Sequence, residues 1–343
     1  MKQKILNISK YVFFLLLGIG LMIYASKGLE FEKILAEAGT MDFSFFIISA
    51  LMALLAHFSR AIRWRYLIRS FGYNPKLKNV FLSVLFMYFS NLIIPRSGEV
   101  ARCGTLYKYE KIPVKNLLGT VVVERLFDLF TLLFGTGLLM VLQFSTVKGM
   151  YYKLIEKRNS IQGGDPGVLD YIVELVSSAV FLIVAGAVLL VIIYLLFHFR
   201  KKIVKTKLFQ KVMAFKIELI EGVKKVLKLK QKAAFFGHTL FIWGMYFGMT
   251  YICFYAYEPT ASLGLSAGFA VFMAGSFGMV APTNGGIGAW HLMVGLALSI
   301  FGVSDENGVA IAQVAFATMT GAVIIYGAVS VILLPFINSN KSD

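Results

Sequence analysis

The chain has 343 residues, 58% of them hydrophobic, and a mean hydropathy of +0.75. Soluble domains are about 45–50% apolar, so this composition exceeds what one aqueous core can bury and excludes a soluble enzyme. Charged residues make up only 15%, yet the net charge is +16. Basic runs placed beside apolar ones point to the anionic face of a membrane and not to nucleic acid.

A membrane-crossing helix needs about 20 mostly apolar residues. Six stretches qualify: 11–26, 43–60, 114–143, 173–199, 234–257 and 309–336. The first follows Lys2, Lys4 and Lys10 without a small-x-small cleavage site, so it reads as an uncleaved span and not a signal peptide. Two further stretches are apolar but interrupted, 79–112 around Pro95 and 263–302 around Pro282. In 200–232, Leu208, Val212, Phe215, Leu219, Val223 and Val226 recur at helical spacing among lysines. This predicts a basic amphipathic helix on the cytoplasmic surface, with a solvated linker as the alternative. Cys103 and Cys253 stand apart, and the histidines form no ligand cluster, so no disulfide, metal or other cofactor is expected.

Loop charge sets the expected sidedness. Residues 60–78 hold six basic and no acidic side chains, 200–232 hold twelve and two, and 27–42 hold two and four. With the N- and C-termini cytoplasmic, six spans put each strongly basic segment inside. The interrupted stretches then enter and leave from opposite faces as re-entrant hairpins. Asn91-Leu-Ile-Ile-Pro95-Arg-Ser-Gly98 can be laid over Gly278-Met-Val-Ala-Pro282-Thr-Asn-Gly285, as in an inverted repeat whose broken helices meet at a midplane site. The expected fold is an all-α polytopic membrane protein of six spans and two broken hairpins, with eight full spans as the alternative. It is a single transmembrane domain, 1–343. A first half, 1–199, carries hairpin 79–112, and 200–232 separates it from a second half, 233–343, carrying hairpin 263–302.

Charge inside apolar segments is expensive and reads as functional by default. Glu124, Arg125 and Asp128 interrupt the third span, and Arg96, Glu99 and Arg102 lie at the first hairpin's tip beside Asn91. Glu124 and Asp128, four apart, share a helix face. These six charges sum to zero, as low dielectric demands of a paired network. Two uses remain open. The carboxylates lock the hairpin to the third span, or the arginines grip a phosphate bidentately. In the second hairpin, Asn284, Gly285 and Gly286 allow a sharp turn, and a helix starting near Gly288 aims its N-terminus there as an anion site. Trp290 and His291 follow at once, with packing and an internal hydrogen bond as the plainer readings.

Asn91, Pro95, Gly98, Glu99 and Arg102, then Glu124, Arg125 and Asp128, then Pro282, Gly285, Gly286 and Gly288 follow one ordered pattern: N-x-x-x-P-x-x-x-G/E-x-x-R, E-R-x-x-D and P-x-x-G-G-x-G. It resembles the lysylphosphatidylglycerol synthase transmembrane-region family, also described as flippase-like domain proteins, over nearly the whole chain. Thr283-Asn284 stands where members often carry a second Pro or a small residue. The resemblance implies movement of phospholipid or lipid-linked head groups between leaflets. The substrate-binding residues are then expected among Asn91, Arg96, Glu99, Arg102, Glu124, Arg125, Asp128, Asn284, Gly285, Gly286, Trp290 and His291. Relatives that are synthases carry a further soluble aminoacyltransferase domain, and with the sequence ending at Asp343 no synthase activity is expected. No GxxxxGK[ST] segment is present to hydrolyse ATP. The expected protein is a non-enzymatic transporter of the inner or plasma membrane whose partners are anionic or zwitterionic phospholipids, with a homo-oligomer open. A head-group-modifying enzyme and a lipid-binding scaffold are the alternatives.

Overall fold

The computed structural model describes residues 31–94, 96–162, 224, 226, 229, 231–281 and 283–339. The expected spans 11–26 and 173–199, Pro95, Pro282 and nearly all of the expected surface helix 200–232 lie outside the described residues. Met1–Val147 with Lys225–Asp343 form one compact unit and Lys148–Lys224 a second. The packing and the site described below lie in the first.

Every regular element described is helical. In chain order these are α1 (Phe31–Gly39), α2 (Phe43–Arg69), α3 (Leu77–Ile93), α4 (Gly98–Glu110), α5 (Val114–Leu142), α6 (Phe144–Gln162), α7 (Lys232–Ile252), α8 (Glu258–Ala261), α9 (Leu265–Val280), α10 (Ala289–Ile300) and α11 (Asp305–Phe336). Among the described residues, Phe43–Arg69, Val114–Leu142, Lys232–Ala256 and Asp305–Phe336 are long and apolar enough to cross a membrane. They match the expected spans at 43–60, 114–143, 234–257 and 309–336. The first runs further than expected, to Arg69.

Local chemistry fixes the ends. Asp42 caps α2, with Oδ1 accepting from the Ser44 N–H at 2.9 Å. Hydrogen bonds from the Ser44 hydroxyl and N–H hold its carboxyl below the usual carboxylate range. Ser304 caps α11 by accepting from the Asn307 N–H at 3.2 Å, and Asp305 and Glu306 follow in the first turn, where the helix dipole favours negative charge. Lys111 ends α4 in a left-handed conformation, φ 57°, and Pro113 then sets the start of α5.

Both interrupted stretches fold as helix–turn–helix hairpins, α3–α4 and α9–α10, each turning where expected. At 1.5 Å per residue the 17 residues of α3 and 16 of α9 extend about 25 Å, short of the roughly 30 Å hydrocarbon core. The legs pack closely. In the second hairpin, Gly275 and Gly278 face Trp290 with no room for a Cβ. In the first, the Asn91 side-chain carbonyl accepts the Gly98 N–H at 2.8 Å, which ties the end of α3 to the start of α4. The tips meet, because α3 packs against the short 3₁₀ turn Asn284–Gly286 and Leu92 comes up against Gly285.

The main core lies where α2, α3, α4 and α5 converge, built on Trp64, Ile68, Val84, Met87, Leu106 and Val121. At the hairpin's open end, Asn79 donates from Nδ2 to Glu110 Oε1 at 2.5 Å and exchanges side-chain amide hydrogen bonds with Asn338 at 3.1 and 2.9 Å. This clasp joins both legs to the chain just beyond α11. Asn79 is fully buried, so Asn79→Ala leaves Glu110 and Asn338 short of partners. It is expected to destabilise by about 1–3 kcal/mol, read as a lowered thermal midpoint in detergent.

Candidate functional site

Three elements bring charge to one point. Arg60 and Arg63 come from α2, Glu99 and Arg102 from α4, and Glu124, Arg125 and Asp128 from α5. Arg60 lies about 25 Å along α2 from Phe43 and about 14 Å from Arg69, and Glu124 about 15 Å from Val114, at 1.5 Å per residue. The cluster is therefore deep within two of the spanning helices.

Glu124 is the hub and has no solvent exposure. Its Oε1 lies 2.8 Å from Arg60 Nη1 and 3.1 Å from Arg63 Nη2, while Oε2 lies 2.9 Å from Arg102 Nη1. Asp128 takes the other side of the same two guanidinium groups, Arg63 at 2.8 Å and Arg60 at 3.1 Å. Spacing of three puts Arg60 and Arg63 on one face of α2, and spacing of four does the same for the carboxylates on α5. The four groups thus meet as two interlocked pairs. Arg102 also contacts Glu99 at 2.6 Å, and its guanidinium stacks over the Trp64 ring at 4.3 Å, a cation–π contact strengthened by burial. Trp64 is held in turn by donating from Nε1 to Thr120 Oγ1 at 2.8 Å. Arg102 sits within ion-pairing distance of both carboxylates, but its nitrogens have no in-line hydrogen-bond partner among the described residues. Arg125 spans Glu99, Glu124 and Asp128 at 3.3, 3.4 and 3.5 Å.

Aromatic hydroxyls extend the cluster. Arg60 Nη2 donates to the Tyr246 hydroxyl at 3.3 Å, and that hydroxyl lies 3.0 Å from the Tyr88 hydroxyl on the first hairpin. The His57 ring stacks on Tyr88 with centroids 4.0 Å apart. From α7, Thr239 accepts from Arg63 Nη1 at 3.0 Å.

The network differs in membership from the one expected. Arg96 is not part of it. It lies in the turn before α4, exposed, with φ 61°, and makes no ion pair among the described residues. A residue ahead of the helix does not share the face that aligns Glu99 with Arg102. Arg60 and Arg63 take its place. They read as loop charge because span 43–60 was ended at the first arginine, whereas the helix continues to Arg69. Their spacing with His57 and Trp64, which repeats on one helical face, is the signal that identifies them. Four guanidinium groups against three carboxylates leave one net positive charge where neutrality was expected.

The second hairpin contributes no charge. Gly285, Gly286 and Gly288 take φ of 60°, 85° and 77°, so the sharp turn does rest on glycine. His291 is buried and its Nδ1 accepts the Gly288 N–H at 3.3 Å, capping α10. Trp290 packs against Gly275 and Phe316. Both thus make the contacts of their plainer readings. Asn91 likewise spends its carbonyl oxygen on the hairpin turn. Asn284, in its 3₁₀ turn, lies at the meeting of the tips.

The family described as lysylphosphatidylglycerol synthase TM region matches residues 11–327. The chain belongs to this family. It is 30% identical over 150 residues to a UPF0104 membrane protein of Methanocaldococcus jannaschii, an alignment covering 43% of this chain and 44% of that protein. It is 25% identical over 111 residues to glycosyltransferase AglD of Haloferax volcanii, covering 32% of this chain and 18% of that one. The chain thus spans less than half the length of the curated relatives it matches. No solved structure matches. The membership and the spanning helices make this a multi-pass membrane protein.

Proposed function

We propose that this chain moves phospholipid or lipid-linked head groups between the leaflets of the cell membrane, as a transporter and not an enzyme. The observation that carries the reading is the buried Arg/Glu/Asp cluster at membrane depth, holding one positive charge in excess. A site built only to fasten helices is most stable when neutral, whereas a net cation beside partly exposed Glu99 and Arg125 suits a lipid phosphate. The hairpins support the reading too, because their legs are shorter than most spanning helices and their tips meet, as discontinuous helices do around a transported ligand. In this reading the hairpins enter from opposite faces and the termini are cytoplasmic. With Arg60 and Arg63 counted inside the membrane, Arg65, Arg69, Lys76 and Lys78 still bias the α2–α3 loop to that side.

The test is transbilayer movement of labelled phospholipids in liposomes containing the purified protein. Added protein is expected to accelerate movement, and Arg102→Ala and Glu99→Gln are expected to reduce the rate at least about tenfold. Glu99 is partly exposed, so its variant is expected to remain folded and to report on function. Movement unchanged by the protein, or wild-type rates in both variants, would overturn the proposal. A change in lipid mass on incubation with sugar or acyl donors would favour the head-group-modifying alternative.

A further inference from the structure

We propose that Arg125 is the arginine of the cluster that exchanges its protein partners for a ligand, and that the ligand it selects is a phosphodiester head group of one net negative charge. This rests on the reading above that lipid head groups reach the cluster.

The arginines are not equivalent. Arg60, Arg63 and Arg102 are 4% exposed or less and lie 2.6–3.1 Å from their carboxylates, whereas Arg125 is 43% exposed and its three contacts are the longest, 3.3–3.5 Å. Arg125 can also leave without orphaning a carboxylate. Glu124 keeps Arg60, Arg63 and Arg102, Asp128 keeps Arg60 and Arg63, and Glu99 keeps Arg102. Arg60 and Arg63 would leave each carboxylate paired as well, but both are buried and held by shorter contacts. Moving Arg102 strips Glu124 Oε2 of its partner and leaves Glu99 with Arg125 alone. Without Arg125 the remaining three arginines and three carboxylates balance, so the surplus charge of the cluster is in effect its own.

That surplus sets the ligand class. At membrane depth an uncompensated charge is costly, and a head group of net charge −1 cancels it. A zwitterion leaves it in place, and a phosphomonoester, with charge of about −1.5 to −2 at neutral pH, overshoots. The planar guanidinium can take two phosphodiester oxygens bidentately. Glu99, 28% exposed beside it, can accept hydrogen bonds from hydroxyls of a polyol head group.

The experiment is quantitative lipid binding to the purified full chain by native mass spectrometry. Its probes are phosphatidylglycerol, phosphatidylethanolamine and phosphatidic acid of matched acyl chains. The whole chain attracts anionic lipid through its +16 charge, so what is read is the Arg125-dependent part of the preference. The wild type is expected to favour phosphatidylglycerol over both others. Arg125→Gln is expected to lower the phosphatidylglycerol-to-phosphatidylethanolamine ratio at least about fivefold with the thermal midpoint unchanged, since it neutralises the cluster. Arg125→Lys, which keeps the charge but not the bidentate fork, is expected to restore only part of the ratio. An unchanged ratio in Arg125→Gln, or phosphatidic acid bound more tightly than phosphatidylglycerol, would refute the assignment. Soluble glycerophosphoglycerol is expected to compete and inorganic phosphate is not. Equal competition by phosphate would overturn the choice of a diester. Selective binding without transport would defeat the transport reading and leave this one standing, and transport without selectivity would do the reverse.

Discussion

Glu124→Ala is expected to be the most destabilising substitution in the charged site, lowering the stability of the folded unit by about 3–5 kcal/mol. The carboxylate is fully buried, and four arginines on three helices lie within 3.4 Å of it. Removing it leaves four guanidinium groups facing two carboxylates, so the excess charge doubles where water cannot dilute it. Folded proteins are stable by only about 5–15 kcal/mol, so the loss should appear as a sharply lower thermal midpoint in detergent and a broadened size-exclusion peak. Glu124→Gln keeps the shape and a carbonyl acceptor and is expected to lie between Glu124→Ala and the wild type. Arg125→Gln, which brings the cluster to neutrality, is expected to melt like the wild type. If Glu124→Ala melted like the wild type, Glu124 would not be the residue that locks α4 to α2 and α5.

The second large effect is expected at Gly278. A Cβ there would lie 2.6 Å from the Trp290 Cα, 2.8 Å from the Ala289 carbonyl oxygen and 2.9 Å from the Trp290 nitrogen. All three are backbone atoms, so no side-chain rotation relieves the clash. Gly278→Val must push α9 away from α10, and overpacking of this kind costs about 1–3 kcal/mol or more. The tip where Leu92 meets Gly285 is held by the same two legs, so the proposed transport is expected to fall along with the thermal midpoint. Gly295→Ala in α10 is the control. Its added methyl would lie 3.7 Å from Val309 Cγ2, an ordinary contact, and replacing a mid-helix glycine is expected to be neutral or to stabilise by up to about 1 kcal/mol. Equal thermal midpoints for the two variants would mean that close approach of the hairpin legs does not matter.

Much of the architecture was legible in the residues. Apolar runs located the helices at 43, 114, 234 and 309 to within a few positions at their N-terminal ends, and the turns fell at the Pro-Gly segments of 79–112 and 263–302. The ordered motifs pointed to the family that the comparison then showed. These are local signals, for a helix is announced by its own hydropathy and a turn by its own glycines. The charges Glu124, Arg125 and Asp128 were equally legible, because an ionisable side chain inside an apolar run is conspicuous wherever it points.

Which charges pair with them was not legible. Arg60 and Arg63 stand 61 to 68 positions before their partners on α5, and no periodicity within α2 says which face of α5 it meets. Counting loop charge assigned both arginines to the cytoplasm, because that rule knows where apolar sequence stops and not where a helix stops. Arg96 showed the converse, since nearness in sequence to Glu99 did not bring it into the cluster. The contacts of His291 and Trp290 were not legible either: His291 accepts the Gly288 N–H at the start of its own helix, and both rings lie against Phe316 of α11. By itself the sequence determined that this protein is helical, embedded in a membrane, broken at two hairpins and charged within. Only the tertiary structure decided that the cluster draws on α2, α4 and α5 and carries one positive charge too many. Hydropathy is a property of each segment, whereas the balance of a buried charge depends on the register between segments.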